Sequence, residues 1–128
     1  MKIVTVVDRT GKVEPDVNPN PPLFVYGNLI DPVHRATILG RFTNGVPAIL
    51  RDYARGHSLH WYIRQLPGAQ TEGVVLGDLD SGDLAKLDSY EEVPTLYTRE
   101  QIEVTGMDGT LIRCWVYLPT AWAEPLVR

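Results

Sequence analysis

Only two stretches of this chain carry helical spacing, set among five to six strand-like runs that are mostly neighbours in sequence. A doubly wound parallel sheet needs a crossover helix for almost every strand, and two helices cannot supply them. The count leaves an α/β chain of the α+β kind: a small mixed, curled β-sheet or barrel of five to six strands with two short helices packed on it. At 128 residues the chain is long enough for one domain with its own core.

The punctuation places these elements. Leu23-Phe24-Val25-Tyr26 is an apolar strand ending at Gly27. Asp31-Pro32 supplies an N-cap and a proline at the first helical position, so a helix is expected from Pro32 to Leu39, stopped by Gly40. Val46 to Leu50 reads as a strand, followed by Tyr53 and a turn around Arg55-Gly56. Ser58 to Ile63 reads as another, with Leu59, Trp61 and Ile63 on one face and His60 and Tyr62 on the other. Pro67-Gly68 marks a loop, and Gly73 to Leu79 a further strand. Ser81 is the expected cap of the second helix, whose Leu84, Leu87 and Tyr90 share a buried face before Pro94 stops it. Tyr97 to Val104 and Leu111 to Leu118 form a hairpin through Met107-Asp108-Gly109. Ahead of all this, Ile3–Val7 and the residues near Val13 are short β-like pieces around a turn at Asp8–Lys12. Asn18 to Pro22 is a stiff Asn/Pro linker. Residues 1–22 are therefore expected to be an appendage, possessing a strand or a partner contact, and residues 23–128 the main domain, ending in a tail after Thr120.

Charge and composition remove several functions. A net charge of -4 argues against nonspecific nucleic-acid binding, which needs a basic surface. A single cysteine, Cys114, cannot form an internal disulfide and reads as a buried structural thiol. No segment has the length of a membrane span, and Ile3–Val7 is too short for a signal-peptide core, so a cytoplasmic location is the default expectation. Oligomeric state has no readable signal.

One stretch is electrostatically odd. Asp88, Glu91 and Glu92 crowd the last turn of the second helix, where the helix dipole is already negative. Each carboxylate so placed costs about 0.3–1 kcal/mol. The run reads either as a solvated acidic turn or as a turn in which one carboxylate has a chemical role. Gly27 offers a second candidate feature. Lacking Cβ, it lets a ligand approach the N–H groups of Asn28 and Leu29, although an ordinary strand-to-helix turn has the same pattern. Metal binding finds little support: His57 and His60 are expected on opposite faces of one strand, His34 is remote in sequence, and there is no second cysteine. No serine or cysteine sits in a nucleophile-elbow pattern.

Taken together, two stretches resemble the gamma-glutamylcyclotransferase-like family. Leu23-Phe24-Val25-Tyr26-Gly27-Asn28-Leu29 resembles its Tyr-Gly-Ser/Thr-Leu loop, and Leu87-Asp88-Ser89-Tyr90-Glu91 followed by Tyr97-Thr98-Arg99 resembles its Leu-Asp-x-aromatic-Glu-Gly and Tyr-x-Arg motifs. The resemblance covers roughly Leu23 to Leu118 and implies a small barrel-like fold with both motifs on one cavity. It further implies release of 5-oxoproline from a gamma-glutamyl amine or peptide, with no cofactor and no metal. Glu91 would be the general acid/base, and Tyr26, Gly27, Asn28, Leu29, Tyr53, Tyr97 and Tyr117 would bind the small-molecule substrate. Arg99 would hold a carboxylate or pair with a neighbouring acid. Asn28 stands where the family has Ser or Thr, and Glu92 where it has Gly. These departures support two rival readings: a non-catalytic ligand-binding module on the same fold, or a partner-binding protein acting through residues 1–22.

Overall fold

The computed structural model describes residues 6–7, 13–14, 21–57 and 59–120. Strands β1 (Val6–Val7) and β2 (Val13–Glu14) pair antiparallel, with Val6 opposite Glu14. The turn expected between them, most of the linker and the tail beyond Thr120 lie outside the described residues.

The rest is a closed barrel of five strands in the order β3-β5-β4-β6-β7. Strand β3 is Leu23–Val25, β4 Gly45–His57, β5 Trp61–Leu76, β6 Tyr97–Gly106 and β7 Leu111–Pro119. All neighbours run antiparallel except β3 and β7, whose parallel pairing of Leu23 with Trp115 and Phe24 with Val116 closes the barrel. Two helices, α1 (Pro32–Leu39) and α2 (Ser81–Tyr90), pack together outside it.

Strand β3 explains why an unbroken apolar run was needed. It is buried on both faces, as a strand between a filled barrel and a helical layer must be. Phe24 and Tyr26 point into the barrel core with Leu50, Ile63, Val104, Cys114 and Val116. Leu23 and Val25 point the other way, into a second core with Leu29, Leu39, Leu76 and Leu87.

The helix boundaries are set locally. Asp31 caps α1 by accepting the Val33 N–H at 2.9 Å, Pro32 follows, and Gly40 closes the helix at φ 78°. Helix α2 departs from expectation at its start. Its cap is Asp80, not Ser81: the Asp80 carboxylate accepts the Asp83 N–H at 2.7 Å while Asp83 accepts the Asp80 N–H at 3.1 Å. This reciprocal box satisfies two donors at once, which a serine one residue later cannot match. Tyr90 is also not on the buried face; it is 38% exposed, and its hydroxyl hydrogen-bonds His34 Nε2 at 2.8 Å.

The largest departure is the β4–β5 hairpin. The turn expected at Arg55-Gly56 and the loop expected at Pro67-Gly68 are both inside paired strands. A bulge between Arg51 and Tyr53 sets Asp52 opposite residues 66–69. Asp52 sits at φ 66° and its carboxylate accepts the Gly68 N–H at 3.0 Å. Strand β4 therefore continues to His57, which pairs with Trp61 at the start of the antiparallel β5.

Candidate active site

The loop after β3 is a single turn of 3-10 helix, Asn28–Ile30. Its carbonyls are pinned from behind. Arg35, 2% exposed, donates from Nη1 to the Leu29 and Ile30 carbonyls, both at 2.9 Å. Its Nε donates to Thr43 Oγ1 at 3.0 Å and its Nη2 to the Thr43 carbonyl at 3.1 Å. One buried guanidinium thus ties the loop to α1 and to the approach to β4. The N–H groups of Asn28 and Leu29 have no acceptor among the described residues. Gly27 is required by space: a Cβ there would lie 2.9 Å from Trp61 Cβ. Trp61 in turn donates from Nε1 to Asn28 Oδ1 at 3.1 Å, so the side chain that replaces Ser or Thr is held by the indole.

Across from this loop stands the end of α2. Glu91 is the C-cap, its N–H donating to the Leu87 carbonyl at 2.9 Å. Its carboxyl is half-buried, and burial pushes it up from 4.5 to about 7. Glu92 is not a cause of that shift. It is exposed, and its backbone takes the left-handed conformation at φ 56° with its N–H on the Ser89 carbonyl. This is the residue after a helix C-cap, where glycine is favoured. The glycine expected there from the family motif therefore has a conformational reason, and Glu92 occupies the position at a cost of about 1 kcal/mol.

Asp88 is taken up by structure. It accepts Arg99 Nε at 2.7 Å and Nη2 at 3.0 Å, and the Tyr117 hydroxyl at 2.7 Å. Arg99 lies 4.4 Å over the Trp115 ring. The pairing expected for Arg99 is thus with its neighbouring acid, and it does not line the cavity.

Loop and carboxyl meet on one cavity of about 240 Å³. Tyr26, Gly27, Asn28, Leu29, Glu91, Tyr97 and Tyr117 all line it. Tyr53 does not: it packs half-buried against the barrel core, and its carbonyl accepts the Thr71 hydroxyl. Burial raises Tyr26, Tyr97 and Tyr117 well above the ordinary phenol range, and Glu91 adds to the rise in each. Cys114 is buried in the barrel and pushed up to about 12 by that burial, as an inert thiol would be.

The structure adds residues that no local signal marked. Trp61, Leu96 and Tyr90 line it too, together with His57 and His60, and Val25, Leu59 and Glu92 complete the lining. The two histidines do not lie on opposite faces of one strand, because β4 ends at His57 and the antiparallel β5 begins only at Trp61; both reach the cavity. Among the described residues no group of three His, Cys, Asp or Glu side chains gathers to hold a metal ion.

A sequence profile for the family described as gamma-glutamyl cyclotransferase, AIG2-like, matches residues 23–126, and the chain belongs to that family. It is 23% identical over 99 residues to a gamma-glutamylcyclotransferase and putative RNase of Methanocaldococcus jannaschii, covering 75% of this chain and 45% of that relative. A solution structure from Arabidopsis thaliana superposes with a TM-score of 0.72 at 26% identity, over 84% of this chain and 66% of that one. A structure described as gamma-glutamyl cyclotransferase superposes at 0.69 and 24% identity, over 78% and 66% of the two chains. The chain thus spans less than half the length of its archaeal relative and about two thirds of these two structures.

Proposed function

We propose that the protein is a cyclotransferase that releases 5-oxoproline from a gamma-glutamyl amine or gamma-glutamyl peptide. The α-amine of the glutamyl unit attacks its own γ-carbonyl carbon. A C–N bond forms to close the five-membered ring, and the bond from that carbon to the leaving amine breaks. The attacking nitrogen starts as an ammonium and loses two protons, one before it attacks and one from the tetrahedral intermediate, to become the ring N–H; the leaving nitrogen gains one to depart as the amine and a second to become an ammonium. Glu91 takes a proton from the first nitrogen and returns it to the second, solvent exchanges the other, and the proton count balances without a cofactor.

The observation that carries this reading is the Glu91 carboxyl at about 7, half-buried on the cavity that the Asn28–Leu29 loop also lines. A group that both takes and returns a proton near neutral pH works best with its pKa near the working pH. The free N–H groups of Asn28 and Leu29 fit an oxyanion or a carboxylate. Closure of a five-membered ring needs the substrate folded onto itself, and a small cavity with donors and a carboxyl on opposite sides favours that shape.

The test is incubation with a panel of γ-glutamyl amino acids, γ-glutamyl amines and ε-(γ-glutamyl)lysine, with 5-oxoproline measured. Release from any member that disappears in Glu91→Gln supports the reading. Full release by a folded Glu91→Gln chain sinks the role of Glu91, and ligand binding without turnover across the panel favours a binding module. Among the described residues, no helix is long and apolar enough to cross a membrane.

A further inference from the structure

We infer that Tyr26, Tyr97 and Tyr117 form an acceptor-only wall of the cavity, and that this wall receives the α-ammonium of the substrate. The identity of that ammonium rests on the function proposed above; the acceptor character rests on hydrogen-bond direction alone.

Each of the three hydroxyl protons is already committed. Tyr26 donates to the Tyr117 main-chain carbonyl at 2.6 Å, Tyr97 donates to the Trp61 carbonyl, and Tyr117 donates to Asp88 Oδ1 at 2.7 Å. A carbonyl has no proton to return, and Asp88 Oδ1 accepts from Arg99 Nε as well as from Tyr117, so all three hydroxyls are the donors in these bonds. A phenol has one donor and two acceptor lone pairs. What each oxygen retains for a ligand is therefore acceptance. Turning any of these protons toward the cavity would break a buried hydrogen bond. Residues with an ordinary reputation as donors are, in this cavity, the reverse.

The carboxyl of Glu91 adds acceptor oxygens beside them, while the Asn28 and Leu29 N–H groups lie on the loop. No Lys or Arg lines the cavity among the described residues. Acceptors on one wall and donors on another match a zwitterion, with ammonium on the first and carboxylate on the second. An ammonium brings three N–H donors, enough for Glu91 and two phenol oxygens. A substrate whose α-nitrogen is acylated brings one N–H and no charge, so the wall selects for a free amine as well as orienting it.

The test uses two ligands that differ only in that amine: L-γ-glutamylethylamide and its desamino analogue N-ethylglutaramate. Both are titrated calorimetrically into the Glu91→Gln chain. The amine-bearing ligand is expected to bind about tenfold tighter or more, the range of a charge-assisted hydrogen bond. Tyr97→Phe and Tyr117→Phe, each added to that chain and checked for folding by circular dichroism, are expected to shrink the ratio by about threefold or more while moving the desamino affinity by less than about twofold. Equal affinities in the Glu91→Gln chain overturn the inference without any tyrosine variant, and so does a ratio that survives both Phe substitutions. No measurable binding of either ligand overturns it too. Release of 5-oxoproline by the unsubstituted chain is assayed in parallel with the same amide. Release without an amine preference sinks the acceptor wall alone; a tyrosine-dependent preference without release sinks the reaction alone.

Discussion

Helix α1 ends at Gly40, in the left-handed conformation that glycine adopts freely, whereas α2 ends at Glu91 and Glu92, with Glu92 in that same conformation at φ 56°. One helix follows every local preference: aspartate cap, proline at the first position, glycine at the stop. The other puts two carboxyls at the negative end of a helix and a glutamate where glycine belongs. Both helices serve the same cavity, since α1 supplies Arg35 behind the donor loop and α2 ends at Glu91. The difference teaches what each wall requires. Donor N–H groups come free with any exposed turn, so that wall is built from ordinary helix-start chemistry. A carboxyl half-buried at a helix end has no such source, and its position conflicts with what a helix end would otherwise choose.

The comparison breaks most sharply at Glu91. Glu91→Gln is expected to lower 5-oxoproline release by about 10²–10⁴-fold, the range of a positioned acid/base, in a chain with unchanged circular dichroism. The same variant carries a pH signature. The folded chain holds the Glu91 proton up to about 7, against 4.5 for the unperturbed group, so this residue's contribution to stability is complete below about 4.5. That contribution is lost as pH rises through 7. Urea titrations between pH 4 and 8 should show this decline in the natural chain and its absence in Glu91→Gln.

On the other wall, Arg35→Met keeps the volume but leaves buried carbonyls of Leu29 and Thr43 without donors. Its expected cost is about 3 kcal/mol by urea denaturation, and a cost under about 1 kcal/mol would remove Arg35 as the clamp of the loop. Gly27→Ala forces Trp61 aside and should cost about 1–3 kcal/mol, with a change in tryptophan fluorescence as the Asn28 bond is lost. The smallest effect should come from Glu92→Gly, which relieves both the backbone conformation and one charge at the helix end. A gain of about 1 kcal/mol is expected. A loss would mean that the Glu92 side chain holds something the backbone argument omits.

Legibility in the sequence tracked how local each determinant is. Helix α1 was readable to the residue because Asp31, Pro32 and Gly40 act on their immediate neighbours. The cap of α2 was misplaced by one because Asp80 and Ser81 are both good caps, and only the reciprocal bond from Asp83 decides between them. Pro67-Gly68 reads identically as a loop or as the long side of a bulge; the distinction lies with Asp52 on the partner strand. The misplaced turn carried the site with it. With reversal expected at Arg55-Gly56, His57 and His60 sat on one strand, and their shared cavity was invisible. Glu91 and the Tyr26–Leu29 loop were found through short motifs that keep their order along the chain. Arg35 was not, because its acceptors at Thr43 and Leu29 are assembled only by the fold.

The parallel pairing of β3 with β7 has a consequence for synthesis. The strand that leads into the donor loop, Leu23–Val25, finds its second neighbour only at Trp115 and Val116, on the last strand of the barrel. During translation the loop and the future carboxyl wall both emerge well before the strand that seals the barrel. The seal joins the most distant parts of the domain, the kind of contact that forms late because the intervening chain must first be ordered. A chain halted before residue 115 exposes one edge of β3, an apolar strand without a partner and open to unwanted association. The barrel is therefore closed at its last strand, all at once, and not wall by wall.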